Sequence, residues 1–367
     1  MRDKARPVKL DVLFNQMPDL GATDLHLKAG NPPLYRLAGD LHRAKVDALT
    51  DRQIQSLVEE WLGRERVAEL YRKGSLDLGH DFGKGRVRVN VFVQRGSISL
   101  AARLVTDKIP SLADLHLPLQ LERTVDFKQG LVIVCGITGS GKSTTLASII
   151  EMVNQKYRYH ILTIEDPIEY LHRDARSIIN QREMGIDCFD WADALRAAVR
   201  EDPDVILVGE MRDQETFQAG LIAAETGHLV FGTLHTSSAA GTIGRILDLF
   251  PEDKHKLIRQ SLGFNMKCVL CQTLIPSYRP GVSIVPVCEL MFVSPPIRRA
   301  IEEGEDGRIA ELIASGKEDG MLTWTQSYVD MINKGFVEKK VARQFAPNRD
   351  ALEMALKGID IAQRSFG

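Results

Sequence analysis

The sequence predicts an α/β protein in which a parallel-sheet domain follows a small α+β domain and precedes a helical extension. Three observations support this prediction. From about residue 126, apolar runs typical of buried strands alternate with helical patterns, and such alternation implies a parallel sheet with crossover helices. Residues 1–105 instead mix helical and β-rich runs, and the pattern after about residue 297 is helical.

The amino-terminal region, residues 1–108, is predicted to form the α+β domain. LDVLFNQM has helical spacing, DLHLK and PLYRLAG look extended, and RVRVNVFVQRGSISLAARLV alternates as a hairpin does. The proline-punctuated stretch IPSLADLHLP then interrupts both periodicities. We therefore assign residues 109–125 to a linker.

Residues 126–367 are assigned to the parallel-sheet domain, including the helical extension from about residue 297. The predicted strands are LVIVC, HILTI, VILVG and LVFGTL. Helices are predicted from Ser143 to about Asn154, near WADALRAAVR and near QETFQAGLIAAE. In the extension, RIAELIAS, TWTQSYVDMINKG and ALEMALKG have helical spacing.

Composition narrows the range of partners. The 47 Lys and Arg residues nearly balance the 49 Asp and Glu residues, so no excess basic field favours nucleic acid. The amino terminus MRDKARPVKL has no apolar segment behind it, and apolar runs such as LVIVC are far shorter than a membrane span. These features predict a cytoplasmic protein without a nucleic-acid partner.

The five cysteines are scattered, unlike a disulfide framework. CVLC at 268–271 has the spacing of half a zinc site or of a redox pair, but no second CxxC or histidine pair follows. The segment SLGFNMKCVLCQTLI also reads as an apolar-faced helix. We therefore predict that these cysteines are small buried core residues.

The motif GITGSGKS at 136–143 follows a predicted buried strand and precedes a predicted helix. It fits the phosphate-binding pattern G-x-x-x-x-G-K-[ST], in which glycines let backbone N–H groups converge on one point and the helix N-terminus adds its positive dipole end. Lys142 can reach the β- and γ-phosphates of ATP, and Ser143 can offer its hydroxyl to Mg²⁺. The predicted nucleotide-binding residues are Gly136, Thr138, Gly139, Ser140, Gly141, Lys142, Ser143 and Thr144.

Two acidic clusters follow apolar runs. HILTIEDPIEY carries Glu165 and Glu169, and DVILVGEMRD resembles a Walker B strand except that Gly209 stands where Asp is usual, which leaves Glu210. Ligands collect at the carboxyl edge of a parallel sheet. Either strand could supply the acid that binds Mg²⁺, and Glu169, Glu165 or Glu210 could activate water.

The segment GHLVFGTLHTSSA carries two further candidate catalytic residues, His228 and His235. His235 follows the predicted strand among small hydroxyl residues. A neutral histidine there could sense the γ-phosphate through a hydrogen bond, or it could simply cap the strand. Both interpretations remain open from local sequence.

Four blocks together resemble the secretion ATPase superfamily: GITGSGKSTT as its Walker A motif, ILTIEDPIEY as its Asp box, RAAVREDPDVILVGEMRD as its Walker B motif and TGHLVFGTLHTSSA as its His box. The chain closely resembles the type IV pilus retraction ATPases. ATDLHLKAGNPPLYRLAGDL and RVRVNVFVQRG resemble the family's PAS-like amino-terminal domain, and NQREMG also resembles the family. The resemblance implies a RecA-like P-loop core.

The resemblance also implies residue roles and an assembly. Glu169 matches the family's general base, Glu210 matches the Walker B acid on the Mg²⁺ side, and His235 matches the His-box residue near the γ-phosphate. The implied assembly is a homo-hexamer that is cytoplasmic, peripheral at the inner face of the cytoplasmic membrane, and acts on a pilus platform protein in that membrane. A paralogous pilus motor is a further candidate partner.

Arginines of the first domain are candidates for completing the site of a neighbouring subunit. Arg86, Arg88, Arg95 and Arg103 lie on the predicted β-ribbon, where alternation puts Arg86 and Arg88 on one face. A solvated strand face is the plain alternative. The resemblance favours a role over the neighbour's nucleotide, with Arg88 and Arg103 preferred.

Three functions compete at this stage. The first is a pilus retraction motor, either principal or accessory, or another secretion-type ATPase. The second is a RecA-like nucleic-acid translocase, which the balanced charge and the lack of a basic-aromatic stretch disfavour. The third is a nucleotide-binding ring without turnover, which is expected to have lost an acidic residue or the P-loop lysine, and this chain retains both.

Overall fold

The computed structural model describes residues 9–358, which fold into two compact units. The first unit ends at Lys108 and also includes Pro167–Leu171, and the second runs from Ile109 to Asp166 and continues from His172. The outermost parts of both predicted domains, residues 1–8 and 359–367, lie outside the described residues.

The first unit contains a six-stranded antiparallel sheet with the order β3-β2-β1-β6-β5-β4. Alternation builds its core, because Val87, Val89 and Val91 are fully buried on one face of β5 while Arg88 is exposed on the other. Its elements are α1 (Leu10–Leu20), β1 (Ala22–Leu27), β2 (Leu34–Leu37), β3 (Asp40–Arg43), α2 (Asp51–Lys73), β4 (Ser75–Phe82), β5 (Gly85–Gln94) and β6 (Ser97–Val105).

Helix α2 was not predicted from the sequence. Its N-cap residue is Thr50, which forms a capping box in which the threonine and Gln53 side chains each bond the other's backbone N–H. Gly63 has non-helical angles inside it, with φ 77°. This break shifts the phase of the buried residues along the helix, so the sequence shows no continuous helical period.

The second unit is built on a seven-stranded sheet with the order β13-β12-β7-β11-β10-β8-β9. All neighbouring pairs are parallel except β12 with β13. The predicted parallel sheet with crossover helices is therefore confirmed. Its elements up to the last strand are β7 (Gly130–Cys135), α3 (Lys142–Lys156), β8 (His160–Glu165), β9 (Ile178–Glu183), α4 (Trp191–Ala198), β10 (Val205–Val208), α5 (Gln214–Glu225), β11 (Leu229–Leu234), α6 (Ala239–Leu247), α7 (His255–Asn265), β12 (Met266–Pro276) and β13 (Ile284–Phe292).

The helix predicted over SLGFNMKCVLCQTLI is partly wrong. Helix α7 ends at Asn265, and Cys268 and Cys271 lie in β12, which pairs with β7 in the middle of the sheet. A short apolar run does not distinguish a buried strand from a buried helix. The cysteines are free and buried, as predicted.

The segment predicted as a linker, residues 109–125, belongs to the second unit instead. Leu112, Leu117, Leu121 and Val125 are buried in that unit's core. Prolines interrupt the periodicity of the segment without exposing its leucines, so the linker prediction was wrong. A 3-10 helix, Leu119–Asp126, completes the segment.

The carboxyl-terminal extension is helical, as predicted. Ile297 and Ile309 at its start belong to the main core of the second unit, whereas Tyr328 and Leu352 pack with Val285 and Val287 of β13 in a separate apolar cluster. The helices are α8 (Pro295–Glu303), α9 (Ile309–Ser315), α10 (Trp324–Asn333), α11 (Lys339–Phe345) and α12 (Arg349–Leu356). None of the helices found between residues 9 and 358 is long and apolar enough to cross a membrane.

Candidate active site

The loop between β7 and α3 has the conformation that a phosphate-binding motif requires. Gly139 and Gly141 have φ of 79° and 86°, which is the left-handed region that favours glycine. At Gly136, an added Cβ would lie 2.4 Å from the carbonyl oxygen of Gln272 and 2.4 Å from Oγ of Ser140. The loop therefore needs glycine at one position for space and at two others for backbone conformation.

The polar side chains of the loop differ in placement. Lys142 Nζ donates to the carbonyl oxygens of Gly136 at 2.8 Å and Ile137 at 3.1 Å. Thr138 and Ser143 are exposed, and Thr144 is half-buried in the first turn of α3. Ser140 is buried, and its hydroxyl has no hydrogen-bond partner in the described structure. Its side chain thus faces the protein interior rather than the mouth of the loop.

A buried glutamine that sequence reasoning missed holds the loop in place. Gln272 of β12 donates from Nε2 to the carbonyl oxygen of Ser140 at 2.6 Å and accepts from Oγ1 of Thr145 at 2.9 Å. It is 2% exposed. Buried amides of this kind are expected to be fully bonded, and the sole sequence signal was a glutamine within an apolar strand.

A cavity of about 390 Å³ lies beside the loop, and its lining includes Gly141, Thr144 and Gln272. His116 also lines it with φ of 57°, and its ring packs on Phe336 with centroids 4.4 Å apart. Concave sites with mixed apolar and polar walls suit small ligands. The sequence indicated neither the cavity nor the histidine, because its walls come from distant segments.

Three neighbouring strands, β8, β10 and β11, end at the same edge of the sheet as the phosphate loop. Glu210 lies there, and its carboxylate is 3.4 Å from His235 Nε2 and 3.2 Å from Arg212. Asp166 is 4.0 Å from the same guanidinium. The structure therefore brings the predicted Walker B acid and His-box histidine together, with an arginine between two acids.

Sequence reasoning missed the role of Arg212. Its sequence neighbour Asp213 does not pair with it, because Asp213 caps helix α5 by accepting from the backbone N–H of Thr216 at 2.8 Å. The guanidinium is left to pair with Glu210. Adjacent residues at a helix start point in different directions, so sequence neighbours were a poor guide here.

Gly209, which replaces the usual Walker B aspartate, lies in a crowded position. An added Cβ would be 3.2 Å from the carbonyl oxygen of Ile164 and 3.4 Å from the ring of Trp191. Its own carbonyl accepts from Oγ1 of Thr233 at 2.5 Å. A carboxylate side chain would have to displace these neighbours, which leaves Glu210 as the acid on this strand.

Glu165 ends β8 and is held by two hydrogen bonds to the same oxygen. Thr163 Oγ1 donates to Oε1 at 2.7 Å, and Gln181 Nε2 donates to it at 3.1 Å. Glu169, by contrast, lies in the segment Pro167–Leu171, which belongs to the first unit. There the backbone N–H of Leu171 donates to the carbonyl of Thr106 at 3.0 Å.

His228 does not reach the loop edge. It precedes β11, so it lies at the amino end of the strand whose carboxyl end leads to His235. Six strand residues span about 20 Å. Its Nδ1 lies 2.9 Å from the carbonyl oxygen of Ala223, which indicates a structural role. The prediction that His228 is catalytic is therefore wrong, because the two histidines flank opposite ends of one strand.

Arg88 and Arg103 of the first unit are cross-strand partners on β5 and β6, and both are exposed. Arg103 also pairs with Asp24 of β1, with Nε 2.7 Å from Oδ1. Burial raises the pKa of Asp24, but hydrogen bonds from Arg103 and Thr23 outweigh it and leave that pKa below its ordinary value. No ion pair of Arg88 is found within residues 9–358.

Residues 111–335 match the family model described as "Type II/IV secretion system protein", which covers more than half of the chain. The chain belongs to this family. The family predicted from the sequence motifs is thus confirmed.

Relatives of this family member are similar over most of its length. The Type IV pilus retractation ATPase PilT of Pseudomonas aeruginosa is 40% identical over 327 residues, covering 89% of this chain and 94% of the relative. The Type IV pilus ATPase PilU of the same organism is 32% identical over 351 residues, covering 95% and 92%. A crystal structure of the pilus retraction motor PilT with bound ADP matches with a TM-score of 0.85 and 41% identity, covering 94% of this chain and 99% of that one.

Proposed function

We propose that this chain is an ATP-hydrolysing subunit of a motor that powers type IV pilus retraction. The proposal rests on the phosphate loop and the Glu210–His235–Arg212 cluster, which lie at one edge of the same sheet. The chain that forms this sheet is 40% identical to a pilus retraction ATPase over 94% of that relative. The RecA-like core, the phosphate loop and the acidic edge are what hydrolysis of a nucleoside triphosphate requires.

The residues divide the work of phosphoryl transfer. The backbone N–H groups of the glycine loop and the start of α3 bind phosphate oxygens, and Lys142 moves from the loop carbonyls to the phosphates. His235 senses the γ-phosphate by a hydrogen bond while it contacts Glu210. A carboxylate, with Glu169 preferred and Glu165 or Glu210 as alternatives, orients the attacking water.

The oxygen donors near the loop suit Mg²⁺. That ion prefers oxygen ligands and is commonly held by one or two protein groups together with substrate phosphates. The exposed hydroxyl of Ser143 and the carboxylate of Glu210 are the groups proposed to hold it. When bound, Mg²⁺ neutralises charge that develops on the phosphate oxygens.

The assembly proposed is a homo-hexameric ring, cytoplasmic and peripheral at the inner face of the cytoplasmic membrane, where it acts on a pilus platform protein. A ring is supported by the distribution of candidate residues: Arg88 and Arg103 are exposed on a unit separate from the one that carries the loop. Completion of each site by these arginines of a neighbouring subunit is part of the proposal.

An accessory retraction motor is the second candidate. It is raised by the similarity to PilU, which covers 95% of this chain at 32% identity, whereas PilT covers 89% at 40% identity. In that case the chain acts beside a principal motor of the same family.

Gene deletion in a piliated host tests the function. Loss of twitching with an increased number of surface pili, restored by the wild-type gene and not by Lys142→Ala, supports the principal motor. Twitching that persists until a second motor gene is also deleted supports the accessory motor. Purified protein whose ATPase activity appears solely with DNA would overturn both in favour of a translocase.

A further inference from the structure

The five residues Pro167–Leu171 leave the second unit after Asp166 and return to it at His172. This excursion carries Glu169, and Glu165 lies just before it. A carboxylate that orients water must be held within a fraction of an ångström of the productive geometry. The two ends of the excursion must therefore be fixed by groups of the second unit.

One side chain bonds to both ends. Gln181 donates from Nε2 to Oε1 of Glu165 at 3.1 Å, and its own Oε1 accepts from the backbone N–H of His172 at 2.9 Å. Gln181 lies on β9, whose parallel register places it beside Thr163. Strand pairing thus fixes the glutamine, and the glutamine ties the departure point of the chain to its return point.

A second anchor holds the return point to the helix that begins with the phosphate loop. Nδ1 of His172 lies 3.2 Å from Oε2 of Glu151 on α3, and burial lowers the pKa of this histidine. Asn154 of α3, fully buried, donates to the carbonyl of Arg173 at 2.8 Å and accepts from the N–H of Ala175 at 3.1 Å. The segment that returns to the second unit from His172 is therefore fixed relative to α3 as well.

We propose that Gln181 is a positioning residue for ATP hydrolysis, which holds the side chain of Glu165 and sets the path of the excursion that carries Glu169. The inference rests on the proposed ATPase function. The amide suits the task because it donates at one end and accepts at the other, which a carboxylate or an ammonium cannot do. If this half-exposed glutamine merely bonded polar groups at the edge of the sheet, its replacement would have little effect on kcat.

Two substitutions separate its two bonds. Gln181→Met keeps the length of the side chain and removes both bonds. Gln181→Glu keeps an acceptor for His172 N–H but loses the donor to Glu165 and places two carboxylates together. Gln55→Met is the matched control, since Gln55 is a half-exposed glutamine of α2 that bonds Glu59 on its own helix.

Positioning predicts a change in kcat without a change in binding. We expect Gln181→Met to lower kcat by about tenfold or more, as a misplacement near 1 Å does, while KM for ATP and the affinity for a fluorescent ADP analogue stay within about twofold. Gln181→Glu should lower kcat similarly, and Gln55→Met should leave it unchanged. A kcat of Gln181→Met within twofold of wild type, or an equal loss of nucleotide affinity, would overturn the proposal.

Hydrogen exchange tests the clamp independently of turnover. In full-length Gln181→Met, the amide of His172 should exchange at least tenfold faster, whereas in Gln181→Glu its protection should largely persist and the Ala175 amide should be protected in both. Unchanged exchange at His172 in Gln181→Met would refute the clamp itself. If wild-type protein hydrolyses no ATP, the proposed function fails, and the exchange result still decides whether Gln181 fixes the return point.

Discussion

The phosphate loop and the carboxylate edge lie at the same end of one sheet, but they are constructed differently. In the loop, backbone conformation forms the site, with Gly139 and Gly141 in the left-handed region. At the edge, side chains from separate strands form it, as Glu210 and His235 do. A site made by contiguous backbone can be read from a motif, whereas one made by side-chain partners depends on the sheet order that brings the strands together.

The largest effect is expected when the loop loses its ammonium group. Lys142→Ala should abolish measurable ATP turnover, because the phosphates lose the ammonium group of the loop. Steady-state phosphate release measures this. Lys128→Ala, at an exposed lysine that bonds Tyr159, is the control. Turnover of Lys142→Ala at the wild-type rate would end the assignment of the loop.

Loss of the exposed arginines is expected to be nearly as severe. An arginine finger contributes ~10³–10⁵ in rate, so Arg88→Ala/Arg103→Ala subunits should be inactive while Arg43→Ala subunits, altered at an exposed edge strand, stay active. Mixing the Arg88→Ala/Arg103→Ala subunits with inactive Lys142→Ala subunits should recover activity at sites that combine an intact loop with a neighbour's intact arginines.

Absence of recovery in verified mixed rings would exclude action across subunits. The Asp24 carboxylate sharpens the test, since it binds Arg103 and not Arg88 in this structure. If Arg103 must leave Asp24 to reach a nucleotide, Asp24→Asn should not slow turnover. If Arg103 is purely structural, both Asp24→Asn and Arg88→Ala/Arg103→Ala should lower the stability of the protein.

The candidate catalytic carboxylates are expected to act mainly on hydrolysis. Glu169→Gln and Glu210→Gln should each keep ATP binding and slow single-turnover hydrolysis by about 10²–10⁴-fold, because water and Mg²⁺ are positioned in the transition state more than in the ground state. Glu303→Gln, at an exposed ion pair of α8, is the control. Near wild-type rates in both variants would transfer the role of base to Glu165.

Much of the second unit could be predicted because its strands are apolar and its loop is one contiguous motif. The roles of Gln272 and Arg212 could not, since each depends on a partner far along the chain or on a helix cap formed by a neighbour. His228 shows the converse error, because two histidines in one motif lie at opposite ends of a strand. Residue type alone did not distinguish the two ends.

Two loop glycines allow space and conformation to be separated. Gly136→Ala places a Cβ 2.4 Å from a backbone oxygen, which should cost about 1–3 kcal/mol of stability and weaken ATP binding roughly tenfold or more. Gly139→Ala meets no atom within 4 Å and adds strain of about 1–2 kcal/mol from its positive φ. Equal nucleotide affinity in the two variants would contradict the argument that Gly136 is fixed by crowding.

The smallest effect concerns a carboxylate buried behind the edge. Glu289 of β13 is 8% exposed, and its Oε2 accepts from the backbone N–H of Ala239, where α6 begins after the His235 segment, at 2.7 Å. Burial raises the pKa of Glu289, although this hydrogen bond opposes the rise. The folded protein therefore retains this proton to higher pH than the unfolded chain does.

The sign of the pH dependence follows from that difference. Below the ordinary glutamate pKa both states are protonated, and as pH rises from there through the raised pKa of the folded state, Glu289 makes folding progressively less favourable. Glu289→Gln keeps an oxygen acceptor for Ala239 N–H without the buried charge. Its thermal midpoint should exceed that of wild type at pH 8 by a few degrees, at about 2–4 °C per kcal/mol, and the difference should shrink toward pH 5. Glu303→Gln should show no such trend, and a midpoint difference for Glu289→Gln that grew on acidification would reverse the assigned direction of the pKa.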